Sequence, residues 1–277
     1  VPADGKLYAL RDVTATIGSL PLIASSVMSK KLAGGADAIL LDVKVGLGAF
    51  VPTLPEAETL ARLMVDIGRS YQRQMTAVIS DMNQPLGRAV GNALELKEAI
   101  ETLRGAGPAD FRRLVITLAG HMLHMAGRAP SPPAGSQMAE RAMEQGSAWE
   151  KFRQFIRAQG GDVTAIEDPR RLPQATHQHV VAAPRAGYLR QLNAMEVGLA
   201  AARLGAGREK KGDAIDLAVG VICHVKVGEW ADAGAPLFTI HANRPQDLPN
   251  AAHALLAACA WSDEPVAPPP LIHRVIA

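Results

Sequence analysis

The sequence predicts an α/β fold: a parallel or mixed sheet core flanked by helices, a helical segment before it, and a β-rich α+β domain after it. Three observations predict this. Short apolar runs alternate with stretches of helical spacing between Ala38 and Leu103. Hydrophobic residues make up 48% of the chain but aromatics only 4%, a balance that suits helices packed on a parallel sheet. After Gly160-Gly161 the pattern becomes strand-rich.

The elements follow in order. Val13 to Leu32 reads as one or two helices broken near Pro21. Ala38 to Val45 is a buried strand that runs into the glycine loop Gly46-Leu-Gly-Ala-Phe50. Thr53 caps the next helix, with Pro55 in its first turn and Leu60, Leu63, Met64 and Ile67 along one face. Thr76 to Asp81 is the second strand, and Val90, Leu94, Ile100 and Leu103 mark the helix after it. Asp110 to Ala126 and Met138 to Ala158 read as helical, separated by the rigid break Ala129-Pro-Ser-Pro-Pro133. His179 to Leu189 and Ala214 to Gly228 are strand-rich, with a helix from Ala194 to Leu204 between them. The expected domains are 1–33 (helical), 34–173 (α/β core) and 174–277 (α+β).

With 277 residues the chain can bury a sizeable core. Its 29 basic and 27 acidic residues nearly cancel, and no basic stripe interleaves with aromatics. Nucleic acid is therefore not an expected partner. The densest charged run, Arg208 to Asp213, mixes signs around a glycine and reads as a solvated turn. Cys223 and Cys259 stand far apart, outside any metal-ligand spacing. They imply a reducing compartment, and the expected location is the cytoplasm. In Cys223-His224, strand alternation predicts one packed and one exposed side chain. No apolar run reaches membrane-spanning length.

The chemistry concentrates in Tyr8-Ala-Leu-Arg-Asp-Val-Thr-Ala-Thr16 and Ser26-Val-Met-Ser-Lys-Lys31. Ser26 and Lys30 lie four residues apart, so a helix puts them on one face. With Arg11 they can surround a small planar molecule that carries two carbonyls and an N–H. By residue type alone, a solvated helix face is the preferred reading of these three, since surface Arg, Ser and Lys are common. A second motif, Ser80-Asp-Met-Asn-Gln-Pro-Leu-Gly-Arg-Ala-Val-Gly-Asn-Ala-Leu-Glu-Leu-Lys-Glu98, follows a strand and opens a helix.

These motifs resemble the pyrimidine-nucleoside phosphorylase family, which includes thymidine phosphorylase. The resemblance implies a pentosyltransferase that converts a pyrimidine (deoxy)nucleoside and phosphate into free base and (deoxy)ribose 1-phosphate. It assigns the base to Arg11, Ser26 and Lys30, with Tyr8 as a pocket wall and Arg11 and Lys30 as the catalytic cations. It implies a potassium site using the backbone carbonyls of Leu86 and Ala89 and the carboxylate of Glu98, with no organic cofactor. It also implies a homodimer formed through the helical domain, and a hammerhead-like C-terminal domain related to biotinyl carriers. The family's Lys-Val-Gly-Ser-Gly-Ala-Phe has Leu47 in place of its serine here; Asp42 and Lys44 beside it read as cleft-shaping. Lys226 lacks the flanking residues of a biotinyl lysine and reads as an ordinary exposed lysine.

The resemblance begins in the family's middle. The chain starts at Val1 and contains neither Gly-Thr-Gly nor Ser-Gly-Arg-Gly. It is thus expected to carry the base-binding half, with the phosphate loop and a histidine beside the sugar in an absent N-terminal segment. The alternatives are a related nucleoside-monophosphate phosphorylase and a non-catalytic base-binding fragment.

Overall fold

The computed structural model describes residues 2–208 and 212–277. Residues 209–211, the middle of the charged run, lie outside the described residues. The chain divides into two compact units interleaved in sequence: residues 1–82, 114–138 and 270–277 form one, and 83–113 and 139–269 the other.

In the first unit, helices α1 (Pro2–Val13) and α2 (Leu20–Ala33) precede strand β1 (Ala38–Val45), helix α3 (Leu54–Ser70) and strand β2 (Gln74–Asp81). Here the structure corrects the sequence reading. The first helix occupies 2–13, so Arg11 lies within it. Pro21 sits in the first turn of α2 rather than breaking a helix. Proline is tolerated there because its missing N–H has no intrahelical acceptor. The break falls at residues 14–19, where Ala15 takes φ +55°.

Strands β1 and β2 pair in parallel, in register from Ala38 with Gln74 to Val45 with Asp81. Helix α3 makes the crossover, and the Glu56 carboxylate at its start accepts the Thr53 N–H (3.3 Å) and hydroxyl (2.7 Å). The core joins Ile39, Leu41 and Val43 of β1, Ala77 and Ile79 of β2, Leu60, Met64 and Val65 of α3, and Ala24 and Met28 of α2. In β2 every residue after Gln74 is buried, as a central strand covered on both faces requires. Strand β10 (Ile272–Ile276) pairs antiparallel with the other edge of β2, making the sheet mixed.

The second unit is β-rich. It begins with β3 (Ala89–Val90) and α4 (Asn92–Leu103). Helices α5 (Ala109–Met125) and α6 (Pro132–Glu144) run through the chain boundaries of both units, followed by α7 (Ser147–Ala158) and α8 (Val163–Glu167). Then come β4 (His177–Ala182), β5 (Gly187–Leu192), α9 (Ala194–Ala201), β6 (Gly220–Cys223), β7 (Trp230–Ala231), β8 (Pro236–Ala242), α10 (Leu248–Ala257) and β9 (Cys259–Ser262). They form one sheet in the order β3-β6-β8-β4 and another in the order β7-β5-β9. Leu189, Leu192, Val197, Val221, Leu237, Phe238 and Leu255 fill the core around them. Gly91, at φ +140°, lets β3 approach β6: a Cβ there would stand 2.6 Å from the Val219 carbonyl oxygen. In Cys223-His224 the cysteine is fully buried, but His224 is only half-exposed and packs its Nε2 2.7 Å from Thr239 Oγ1. Among the described residues, no helix is long and apolar enough to cross a membrane.

Candidate substrate site and cation loop

The expected base-binding residues lie on α1 and α2. On α2 the i,i+4 spacing does what it predicts: Lys30 Nζ donates to Ser26 Oγ at 2.9 Å. The same ammonium donates to Asp4 Oδ2 at 2.6 Å. Asp4, Tyr8 and Arg11 follow the i, i+4, i+7 spacing of one α1 face. This constellation therefore joins one face of α1 to one turn of α2. The Lys30 ammonium, helped by Ser26, holds the Asp4 carboxyl below its usual range.

Arg11 is placed differently from Lys30. Its side chain is buried and turned to the α1–α2 connection. Nη2 donates to the Ile17 carbonyl at 2.6 Å, Nη1 to Leu22 at 3.3 Å and Nε to Thr16 at 3.4 Å. The guanidinium also lies 5.6 Å from the centre of the Tyr8 ring, within cation–π range. Tyr8 is half-exposed, which leaves part of its ring free to line a pocket.

At the carboxyl ends of β1 and β2 a second polar cluster forms. Ser80 Oγ donates to Asp42 Oδ1 (2.5 Å), and Lys44 Nζ donates to Asp42 Oδ2 (2.6 Å) and Ser80 Oγ (2.9 Å). Ser80 is fully buried. Such strand ends are where open parallel sheets bind ligands.

The expected potassium ligands lie in the second unit. Glu98 Oε1, on α4, accepts the backbone N–H of Arg88 (2.9 Å) and of Ala89 (3.0 Å). Burial pushes the Glu98 carboxyl above its ordinary range, and the two N–H groups offset only part of that. Two backbone N–H groups of the loop point at this carboxylate, and a carboxylate is the kind of hard oxygen donor a monovalent cation takes. Lys226 overturns its sequence reading. Its side chain is only 11% exposed, and its ammonium donates to the carbonyls of Pro85 and Gly87 and meets Asp110 Oδ2 at 3.0 Å.

Comparison with known proteins places these residues in context. Residues 1–149 match the glycosyl transferase family a/b domain, and residues 188–262 match the pyrimidine nucleoside phosphorylase C-terminal domain. The chain is similar to the pyrimidine-nucleoside phosphorylase of Staphylococcus aureus strain USA300, at 52% identity over 99% of this chain and 63% of the relative. The protein of the same name in strain bovine RF122 / ET3-1 is 51% identical over the same shares. The chain belongs to the glycosyl transferase family whose a/b domain matches residues 1–149. It spans 63% of the length of the curated relatives it matches.

The sequence spacing anticipates the Ser26–Lys30 contact, but not the contacts of Asp4 with Lys30 or of Lys226 with its loop. Spacing puts Asp4 on the Tyr8–Arg11 face once α1 is a helix, but it says nothing of the reach to Lys30. No spacing points to the Lys226 contacts, because two of its three partners are backbone carbonyls, which every residue carries.

Proposed function

We propose that this chain carries the base-binding part of a pyrimidine-nucleoside phosphorylase, with phosphate as co-substrate. The observation that carries this reading is the Lys30–Ser26 pair on one turn of α2, 2.9 Å apart. In phosphorolysis a phosphate oxygen bonds to the sugar anomeric carbon as the bond to the base nitrogen breaks. The base leaves with the electron pair, its negative charge spread over its carbonyl oxygens. An ammonium fixed beside those oxygens stabilises the transition state more than the neutral substrate. Lys30 supplies that ammonium, Ser26 meets the ring N–H edge, Arg11 adds positive potential, and Tyr8 walls the ring. Asp4 holds Lys30 until a base displaces it. The sugar carbon passes through an oxocarbenium-like state.

We assign potassium to Glu98 with the carbonyls of Leu86 and Ala89. When bound, the ion would neutralise the Glu98 carboxylate. Phosphate, which must be held in line with the sugar, is assigned to residues outside this chain. We place the working enzyme in the cytoplasm as a homodimer.

Calorimetry of the 277-residue chain with uracil and thymine tests the base site. Binding by the parent chain, weakened about 10- to 100-fold in Lys30→Ala, is the expected result, in line with loss of a charge-assisted hydrogen bond. No binding by the parent, or equal binding by both, would sink the reading. The same chain, checked by intact mass, should release no thymine from thymidine with phosphate.

A further inference from the structure

We propose that the ammonium of Lys226 is a resident monovalent cation, a tethered ion that organises the loop Gln84–Ala89. The residue follows β6 by three positions, far from the loop in sequence. Its ammonium has three N–H donors. All three find oxygen: the Pro85 carbonyl, the Gly87 carbonyl at 2.6 Å, and Asp110 Oδ2 at 3.0 Å. Two carbonyls and a carboxylate are also the oxygens that a hard monovalent ion takes. These oxygens differ from those of Leu86, Ala89 and Glu98.

The neighbouring bonds are arranged around this ion. The Val227 N–H donates to Gln84 Oε1 at 2.9 Å, and the Cys223 N–H to the Arg88 carbonyl at 2.8 Å. Arg88 Nη1 donates to the His224 carbonyl at 3.1 Å, and the Gly87 N–H to Asp110 Oδ2 at 3.2 Å. The loop is thus laced to residues 223–227 from both ends, with the ammonium between. Without it, two carbonyl dipoles and the Asp110 charge would converge on an empty space. A free ion of similar size and charge would restore the balance.

Chemical rescue tests this. Thermal unfolding of the parent chain, Lys226→Met and Lys226→Gln is followed in the chlorides of potassium, ammonium and tetramethylammonium at equal ionic strength. In tetramethylammonium, Lys226→Met should unfold about 5 °C or more below the parent. Ammonium or potassium should recover at least half of that loss while moving the parent much less. Lys226→Gln keeps donors for the carbonyls and should fold even if the methionine variant does not, with the same ion response. The response should persist in a Glu98→Gln background, because the cage oxygens remain. The proposal is overturned by parent-like unfolding of both variants, by an equal loss in all three salts, by failure of both to fold with ammonium, or by loss of the response with Glu98→Gln. None of these outcomes depends on phosphorolysis.

Discussion

The Asp4–Lys30 pair shows how one residue can set the state of a site. The Lys30 ammonium holds the Asp4 carboxyl below the ordinary carboxylate range. The sign follows from linkage: a carboxyl whose folded pKa is depressed contributes stability above its unfolded pKa, and that contribution fades as pH falls through the folded value. Asp4 should therefore titrate below an ordinary aspartate when followed by NMR, and Lys30→Ala should return it toward the ordinary midpoint. An unchanged midpoint would mean that the pair does not form in solution. This pair also shows the limit of reading the chain. Ser26 and Lys30 announce themselves by a four-residue interval. Asp4 joins them only because α1 folds back across 26 residues, and no local pattern encodes such a return. Lys226 was misread for a related reason: Val-Lys-Val-Gly looks like a surface strand end, and the carbonyls that enclose it leave no mark in the sequence.

At the scale of elements, most of the first unit was legible. The apolar run 38–45, the helical spacing of Leu60, Leu63, Met64 and Ile67, and the run 76–81 each state their own secondary structure. Two of them can only pair in parallel across a helix. The packing of α5 on α6 was not legible, because it rests on what is missing from two glycines. A Cβ on Gly120 would collide with Ser136 Oγ and stand 2.6 Å from the Pro132 carbonyl oxygen, and one on Gly135 would strike the Gly120 carbonyl. Backbone cannot give way as a flexible side chain does, so Gly120→Ala should cost about 1–3 kcal/mol. Among the described residues, nothing lies within 4 Å of a Cβ added at Gly18. Gly18→Ala therefore serves as the control and should unfold within a degree or two of the parent in urea-calibrated thermal melts. Equal melting of the two variants would contradict the close helix contact.

For the whole molecule, the decisive piece is β10. Ile272 to Ile276 alternate too briefly to announce a strand, yet they complete the first sheet. Arg274 Nη1 fixes the strand to Glu58 Oε2 at 2.7 Å, and His273 Nε2 lies 3.3 Å from the buried Asp81. Deleting residues 270–277 should uncover the edge of β2, a row of unpaired N–H and C=O groups. The truncated chain should bind a hydrophobic dye and sediment as aggregates; a monodisperse, dye-free product would show the edge to be protected without β10. The feature has a further consequence during synthesis. Asp81 and His273 are 192 residues apart, so at ordinary translation rates β2 waits about 10–40 s for its partner to leave the ribosome. Through that interval the nascent first unit has one raw flank, and its yield in the cell should depend on whether translation or chaperone capture is faster.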